Sequence, residues 1–338
     1  MSPLSGERAG DDRAGDDRAG DDRAGDDRAG DDRAGDVVAA VDIGTNSVRL
    51  LAARPTSDGG MEPLDRQLRI TRLGAGVDRT GQLDPAAVDC TIAALADYHD
   101  RWVALGATRV RITATSAARD ASNAAQFRDA VVATTGVAPE VLSGDQEAAL
   151  AFDGAVSGLV EVEGPVVVLD IGGGSTELVR GTDRVLASTS RQLGSVRLTE
   201  RHLHDDPPSP SQVQAARATV AEQMEEVARL VAPQPGDVLV GTAGTVTTLA
   251  AAHLGLGEWR DGAVHGVRLS AATVADLALR LCAMPTAERV SRLRVEPGRA
   301  DVIAAGALIL DGVLDRFEFA EVVVSETDIL DGIARSLY

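Results

Sequence analysis

The sequence predicts an α/β protein made of two copies of one domain, and three observations support this. An apolar strand that ends in Asp-Ile-Gly-Thr-Asn-Ser at 42–47 recurs 128 residues later, where a strand ends in Asp-Ile-Gly-Gly-Gly-Ser at 170–175. Short β-branched runs alternate with amphipathic stretches along the rest of the chain, a pattern typical of α/β domains. The length of 338 residues also suits two domains of roughly 100 to 200 residues each.

The first half of the chain begins with a strand, a turn and a second strand. Residues 37–41 form an apolar, β-branched run that predicts a buried strand, and residues 48–53 predict the strand after the turn. Apolar residues at helical spacing predict helices at 85–102 and 121–134. Two further strands are predicted at 110–113 and 139–142.

The second half repeats this beginning and then alternates between helices and strands. A strand is predicted at 165–169, and residues 178–179 belong to the strand after its turn. A proline-rich break at 207–210 precedes a long amphipathic helix. The helices predicted in this half are 211–232, 271–284, 299–316 and 328–336, the strands are 237–240 and 322–324, and a Gly-Thr turn at 241–248 opens one more helix.

A pentapeptide repeat precedes the first strand. Arg-Ala-Gly-Asp-Asp occurs five times from residue 8 and ends as Arg-Ala-Gly-Asp at 33–36. The repeat has no apolar residue larger than alanine to bury, so it cannot compensate for the entropy of ordering. We therefore expect residues 1–36 to be a disordered tail. A docking or solubilising arm, a neutral repeat expansion and a misassigned start codon all remain open.

The charge of the chain excludes several classes of function. Its formal net charge is −19, and all 33 basic residues are arginine. Without lysine, the chain cannot form a Walker A phosphate loop, a pyridoxal or aldolase Schiff base, or a protein-kinase site. An acidic chain without a basic stripe also repels nucleic acid, so we expect no nucleic-acid partner.

Cysteine usage and hydropathy indicate the compartment. Cys90 and Cys282 lie far apart in sequence and fit neither a disulfide framework nor a metal knuckle, so both are predicted to be small buried residues in a reduced protein. The chain has no secretory signal and no run of 18 apolar residues. We expect a soluble cytoplasmic protein without a membrane partner.

The two Asp-x-Gly-x-x-Ser turns suit the binding of oxyanions. Glycine lets the backbone approach a ligand so that successive N–H groups point at phosphate oxygens, and the hydroxyls add donors. Asp42 and Asp170, at the strand ends, can hold the hydration shell of a hard divalent cation, and Glu177 is a third predicted ligand. The predicted phosphate-binding residues are Gly44, Thr45, Asn46, Ser47, Gly172, Gly173, Gly174, Ser175, Thr176, Gly241, Thr242, Gly244 and Thr245.

These motifs together resemble those of a known family. The two loops, Thr-Ala-Thr-Ser-Ala-Ala-Arg at 113–119, Ser-Gly-x-x-Glu-Ala at 143–148 and Gly-Thr-Ala-Gly-Thr at 241–245 are similar, in this order, to motifs of the Ppx/GppA exopolyphosphatases and guanosine pentaphosphate phosphohydrolases. The resemblance covers residues 37–338. It implies two ribonuclease H-like (actin-like ATPase) domains with an interdomain phosphate-binding cleft. The expected domains are 37–151, joined by the C-terminal helix at about 325–338, and 152–324.

The resemblance also assigns roles to individual residues. It makes Glu147 the catalytic carboxylate that assists the attack of water, and it places Arg119 opposite the phosphates. Arg49 is a less specific phosphate contact. Several relatives carry arginine where this chain has Ala149, so one phosphate contact is missing here. The expected cofactor is Mg²⁺, with Mn²⁺ as a substitute.

The implied reaction is the removal of terminal phosphate from inorganic polyphosphate, and several alternatives stay open. The same cleft could act on guanosine pentaphosphate (pppGpp), an alarmone of the stringent response. A kinase of the same superfamily is disfavoured because it would usually use an aspartate base, whereas the Ser-Gly-x-x-Glu match supplies glutamate. A non-catalytic polyphosphate or alarmone sensor would bind without releasing phosphate. The oligomeric state is undetermined, with a homodimer as one option.

Overall fold

Two mixed β-sheets form the framework of the protein. The computed structural model describes residues 36–57, 59–159 and 164–338. Residues 1–35, and with them nearly all of the repeat that we expect to be disordered, lie outside the described residues. Within the described part of the chain, no helix combines the length and the apolar character needed to cross a membrane.

The first sheet has five strands in the order β3-β2-β1-β4-β5. β1 pairs antiparallel with β2, which pairs antiparallel with β3, whereas β4 and β5 continue the sheet in parallel on the other side of β1. The strands are β1 Val38–Ile43, β2 Ser47–Pro55, β3 Met61–Ile70, β4 Arg109–Ala114 and β5 Glu140–Val141, and the helices of this region are α1 Val77–Thr80, α2 Pro85–Ala104, α3 Ser116–Asp120, α4 Ala124–Thr135 and α5 Gly144–Ser157.

The second sheet repeats this arrangement and adds one strand. Its strands are β6 Val166–Ile171, β7 Thr176–Gly181, β8 Val185–Arg191, β9 Val238–Thr242, β10 Arg268–Ser270 and β11 Glu321–Val324. The order β8-β7-β6-β9-β11 has the same sequence of antiparallel and parallel pairings as the first sheet, and β10 pairs antiparallel with β11 at the far edge. The predicted duplication of one α/β unit is confirmed.

Seven helices accompany the second sheet and the C-terminus, and the two longest helices of the chain begin at clear sequence signals. The seven are α6 Ser195–His202, α7 Pro210–Leu230, α8 Ala243–Leu254, α9 Ala271–Ala283, α10 Thr286–Leu293, α11 Ile303–Arg316 and α12 Ile329–Arg335. Asp84 caps α2 by accepting hydrogen bonds from Ala86 N and Ala87 N. Ser209 caps α7 in a capping box, and Pro210 occupies its first turn.

Helices α5 and α12 lie between the two sheets. Although α12 is the last element in sequence, its Ile329 and Ile333 are buried together with residues of β1 and β2 in the first sheet. Phe152 of α5 packs against the second sheet, where Val166 and Val179 are buried beside it. The two sheets are therefore connected through this pair of helices. The domain limits named above stay predictions.

Several elements differ from the expectations. The edge strands β3 and β8 were not predicted because β3 carries charged residues throughout (MEPLDRQLRI) and β8 has a mixed polar sequence (VLASTSR). Short helices such as α3, with five residues, have too few positions to show periodicity. Cys282 is buried as expected, but Cys90 is exposed, because its position on α2 faces away from the core; the prediction that Cys90 is buried was wrong.

Candidate active site

A cleft lies where the two predicted phosphate loops meet. The first loop connects β1 to β2, and the second connects β6 to β7. The N-terminal turns of α3, α5, α6, α8, α11 and α12 complete the walls. The predicted site residues that line the cleft are Asp42, Gly44, Thr45, Asn46, Ser47, Glu147, Asp170, Gly172, Gly173, Ser175, Gly244 and Thr245.

The two loops have the same local geometry. Gly44 N donates to Ser47 O at 2.9 Å, and Gly172 N donates to Ser175 O at 3.0 Å. Each turn therefore reverses the chain in four residues directly after a buried strand whose last two residues are Asp-Ile. The duplication predicted from sequence extends to the hydrogen bonds of the turns.

The loops approach each other so closely that glycine is required at 174. A Cβ at Gly174 would lie 2.4 Å from Ser116 Oγ and 2.8 Å from Thr45 Oγ1. These two hydroxyls are themselves hydrogen-bonded at 2.8 Å. Gly174 thus contacts both the first loop and helix α3, although it is not among the residues lining the cleft.

The start of α8 contributes backbone groups, and an arginine that the sequence analysis did not identify packs against it. Ala243 adopts a left-handed conformation with φ of 62°, which costs of order 1–3 kcal/mol in a residue other than glycine and often marks a functional site. Arg299 lines the cleft and lies directly against the helix start, since a Cβ at Gly244 would be 1.9 Å from Arg299 Nη1. The sequence analysis did not identify Arg299.

Glu147 reaches the cleft from the first turn of α5. Ser143 caps this helix by accepting from Gln146 N at 3.3 Å, and Gln146 Oε1 accepts from Ser143 N at 2.9 Å. Arg119 Nη1 donates to Glu147 Oε2 at 3.2 Å and to Leu142 O at 2.8 Å. The structure therefore brings the two predicted catalytic residues into contact, even though 28 positions separate them.

The environment of Glu147 changes its acidity. The side chain is buried, and this burial raises its pKa to about 7, although the Arg119 guanidinium lowers it. The carboxylates of Asp42 and Asp120 add to the upward shift. A carboxyl that titrates near neutral pH is well matched to accept a proton from water.

An ion-pair network surrounds Asp42. Arg49 Nη2 donates to Asp42 Oδ2 at 2.6 Å, and Arg49 Nη1 donates to Asp328. The other carboxylate oxygen of Asp42, Oδ1, is buried without a hydrogen-bond partner among the described residues. Asp328 caps α12 by accepting from Leu330 N at 2.9 Å. Sequence reasoning missed Asp328, although an aspartate just before an apolar helix is a typical capping signal.

Asp170 is the counterpart of Asp42 in the second half. In the described structure, its carboxylate has no hydrogen bond or ion pair. Burial raises its pKa to about 8, with further increases from the carboxylates of Asp328, Glu147 and Asp42, while Arg49 lowers it. The cleft thus has an excess of buried carboxylates over the arginines that contact them.

This donor set fits a magnesium ion held by few protein ligands. Mg²⁺ is usually bound by one or two carboxylates and completes its shell with waters and substrate phosphates. Asp42 Oδ1 and Asp170 supply such hard oxygens. However, no three His, Cys, Asp or Glu residues within 36–57, 59–159 and 164–338 cluster closely enough to hold one ion.

Glu177, the third predicted metal ligand, is buried behind the second loop. Glu177 Oε1 accepts from Ser190 Oγ at 2.6 Å, and burial raises its pKa well above the usual range. It is not among the described residues that line the cleft. Its role as a metal ligand stays a prediction.

Three further predicted phosphate-binding residues face away from the cleft. The Thr176 hydroxyl donates to Leu193 O, and the Thr242 hydroxyl donates to Thr327 O at 2.8 Å. Gly241 lies in β9, where a Cβ would come within 3.0 Å of Val322 and Val246 side-chain atoms. These residues pack behind the site and connect neighbouring elements. Their orientation was not predicted, because a sequence motif does not specify which way each side chain points.

Comparisons with known proteins identify the family of the chain. Residues 53–337 match the Ppx/GppA phosphatase family. Exopolyphosphatase 2 of Mycobacterium tuberculosis is 43% identical over 316 residues, which cover 89% of this chain and 98% of that protein.

Two solved structures resemble the fold closely. A crystal structure of an exopolyphosphatase-like protein has a TM-score of 0.85 at 37% identity and covers 89% of this chain and 97% of its own. A Ppx/GppA family member of Aquifex aeolicus has a TM-score of 0.76 at 35% identity, with the same coverage of 89% and 97%. The chain belongs to the Ppx/GppA phosphatase family.

Proposed function

We propose that this protein is an exopolyphosphatase, which uses water to release the terminal orthophosphate of inorganic polyphosphate. The observation that carries the proposal is the position of Glu147, a buried carboxyl with a pKa of about 7, in the same cleft as two oxyanion-type loops. The name of the Mycobacterium tuberculosis relative, exopolyphosphatase 2, supports the substrate.

The chain's own residues can bind the terminal phosphate and activate water. Backbone N–H groups and hydroxyls of the loops at 44–47 and 172–175 bind the phosphate oxygens, and arginine adds positive charge. Glu147 accepts a proton from the attacking water while the new bond from water oxygen to phosphorus forms. The bond from phosphorus to the bridging oxygen breaks, so that the products are orthophosphate and a chain shorter by one phosphate.

A divalent cation completes the proposed site. Asp42 and Asp170 are the residues that would hold Mg²⁺, or Mn²⁺ in its place, because one has an unpartnered buried oxygen and the other lacks any ion pair. When bound, the ion neutralises negative charge on the phosphate oxygens. The carboxylates otherwise make the cleft unfavourable for a polyanion.

The lining of the cleft favours an inorganic chain over a nucleotide. Among the described residues that line it, none is aromatic, so no side chain offers a ring on which a guanine base could stack. Guanosine pentaphosphate therefore serves as the competing substrate in the test. We propose that the protein works in the cytoplasm, where its two free cysteines would stay reduced.

Parallel phosphate-release assays test the proposal. Purified protein with Mg²⁺ is incubated with tripolyphosphate, long-chain polyphosphate and guanosine pentaphosphate, and orthophosphate is measured over time. We expect faster release from at least one inorganic chain than from the nucleotide. Faster release from guanosine pentaphosphate would show that this nucleotide, and not polyphosphate, is the preferred substrate. Binding of all three compounds without phosphate release would indicate a sensor.

A further inference from the structure

Helix α6 holds the second phosphate loop in place through its backbone. Ser195 N donates to Gly172 O at 2.9 Å, and Val196 N donates to Gly173 O at 2.9 Å. Because the C=O and N–H of a trans peptide point in opposite directions, these bonds turn the N–H groups of residues 173 and 174 away from α6. The first two peptides of the loop are thus oriented by the start of a helix.

The third peptide of the loop depends on a side chain instead. Arg197 Nε donates to Gly174 O at 2.8 Å, which turns the N–H of Ser175 in the same direction as its neighbours. Ser175 lines the cleft. The orientation of one oxyanion-binding amide therefore rests on a single guanidinium.

Two carboxylates from the first half of the chain, Asp78 of α1 and Asp120 of α3, hold this guanidinium. Arg197 Nη2 donates to Asp120 Oδ2 at 2.7 Å, and Nη1 donates to Asp78. Asp120 is the last residue of α3 and directly follows Arg119, which contacts Glu147. The side chain of Arg197 is only 11% exposed, whereas the carboxylates of Asp78 and Asp120 are partly exposed, so the guanidinium is largely buried and its ion pairs lie near the surface.

We propose that Arg197 is a positioning residue for the hydrolysis reaction. It keeps the Ser175 amide aimed at the phosphate and joins the second loop to the helix that carries Arg119. It does not touch the reacting atoms itself. This inference rests on the proposed function, because the amide and Arg119 matter to catalysis only if phosphate is hydrolysed in this cleft.

Arg201 provides a matched control. Its Nε and Nη2 donate to Asp78 at 2.6 and 2.7 Å, and these are its only side-chain hydrogen bonds among the described residues. Arg201→Met thus removes a neighbouring ion pair of Asp78 without touching the loop or α3. Arg197→Met removes the bond to Gly174 and both carboxylate bonds.

The first test compares kcat and KM of the two variants for tripolyphosphate with Mg²⁺. We expect Arg197→Met to lower kcat about 10- to 100-fold and to change KM less than about threefold, as loss of a transition-state interaction does. Arg201→Met should stay within about twofold of the parent protein. An unchanged kcat in Arg197→Met, or equal losses in both variants, would overturn the proposal.

A second measurement does not depend on activity. Hydrogen–deuterium exchange of residues 172–175 should be faster in Arg197→Met than in the parent protein, and unchanged in Arg201→Met. If the parent protein releases no phosphate, the proposed function fails, yet this exchange still decides whether Arg197 orders the loop. Equal exchange in all three proteins would refute the ordering role.

Discussion

Glu147 is the residue on which the proposed chemistry depends most directly. Its burial raises the pKa of the carboxyl to about 7, so about half of the molecules hold it deprotonated at neutral pH. Only the deprotonated form can accept a proton from water. The acidity of this one group should therefore appear in the pH dependence of the rate.

We predict that kcat rises with pH through about 7 and then levels off. Below that pH the rate should fall about tenfold per unit, because the protonated fraction of Glu147 grows in that proportion. Measurement of kcat from pH 5 to 9 checks this. A profile that stays flat down to pH 5 would mean that Glu147 titrates as an ordinary carboxyl and is not the base.

The phosphate groups of the substrate also titrate near neutral pH, so the prediction needs a control. The guanidinium of Arg119 lowers the pKa of Glu147. In Arg119→Met the rising limb should therefore move to higher pH, whatever happens to the absolute rate. If kcat rises at the same pH in Arg119→Met as in the parent protein, the titrating group belongs to the substrate and not to Glu147.

At the residue scale, sequence reasoning found the members of the site that belong to local motifs. Asp42 and Asp170 lie next to the last residue of a strand, Glu147 lies in the first turn of a helix, and all three line the cleft. Asp328 and Arg299 were missed because they follow no phosphate-type turn. Only the packing of α12 and α11 brings Asp328 to Arg49 and Arg299 to the cleft. Local patterns identify loops, but distant partners emerge from the tertiary fold.

At the scale of elements, the crossing of α5 and α12 determines how the site is assembled. A Cβ at Gly154 of α5 would lie 1.8 Å from Asp328 O, and a Cβ at Gly332 of α12 would lie 2.0 Å from Leu150 O. The helices touch through their backbones at this crossing. Asp328, which pairs with Arg49, is positioned by the same contact.

Gly154→Ala should destabilise the protein in spite of the helix propensity of alanine. Alanine favours a helix interior by about 1 kcal/mol over glycine, whereas the added methyl group collides with the backbone of α12 and costs about 1–3 kcal/mol or more. Denaturant unfolding measures the difference. A variant as stable as the parent protein, or more stable, would show that the helices can separate without cost.

A neighbouring substitution serves as the control for this crossing. Asp153 forms an exposed ion pair with Arg335 at 3.0 Å, which also joins α5 to α12. Because surface ion pairs contribute about 0–1 kcal/mol, Asp153→Ala should change stability little. The contrast separates close packing of the helices from their electrostatic attraction.

Sequence patterns predict the central strands of the two sheets better than the edge strands. Central strands such as β1 and β6 are entirely buried and were found as apolar runs. The edge strand β3 and the three-residue strand β10 have no such run, because one side of an edge strand faces solvent. The C-terminal helix was predicted from its own pattern, whereas its return to the first half was expected only from the family resemblance, because a contact between distant parts of the chain leaves no local pattern.

At the scale of the whole molecule, charge presents the main physical difficulty. The formal net charge is −19, and Asp42, Glu147 and Asp170 are buried in the very cleft proposed to bind a polyanion. In the proposed mechanism, a bound divalent cation and the paired glycine loops together would offset that repulsion. The missing lysine leaves this role to arginine and backbone amides.

The ion should therefore also stabilise the folded protein. We predict that Mg²⁺ raises the thermal unfolding temperature, because a ligand that binds only the native state shifts the equilibrium toward it. Asp170→Asn should lose most of this increase, whereas Asp183→Asn, at an exposed position, should keep it. An equal increase in both variants would place the ion elsewhere.

The central claim is that Glu147 acts as the base that activates water for the release of orthophosphate from polyphosphate in this cleft. Phosphate release with Mg²⁺ by the parent protein, Glu147→Gln and the exposed control Asp145→Asn tests it most directly. We predict that Glu147→Gln folds normally and loses about 10²- to 10⁴-fold in kcat, while Asp145→Asn remains active. Near-normal turnover by folded Glu147→Gln would contradict the account.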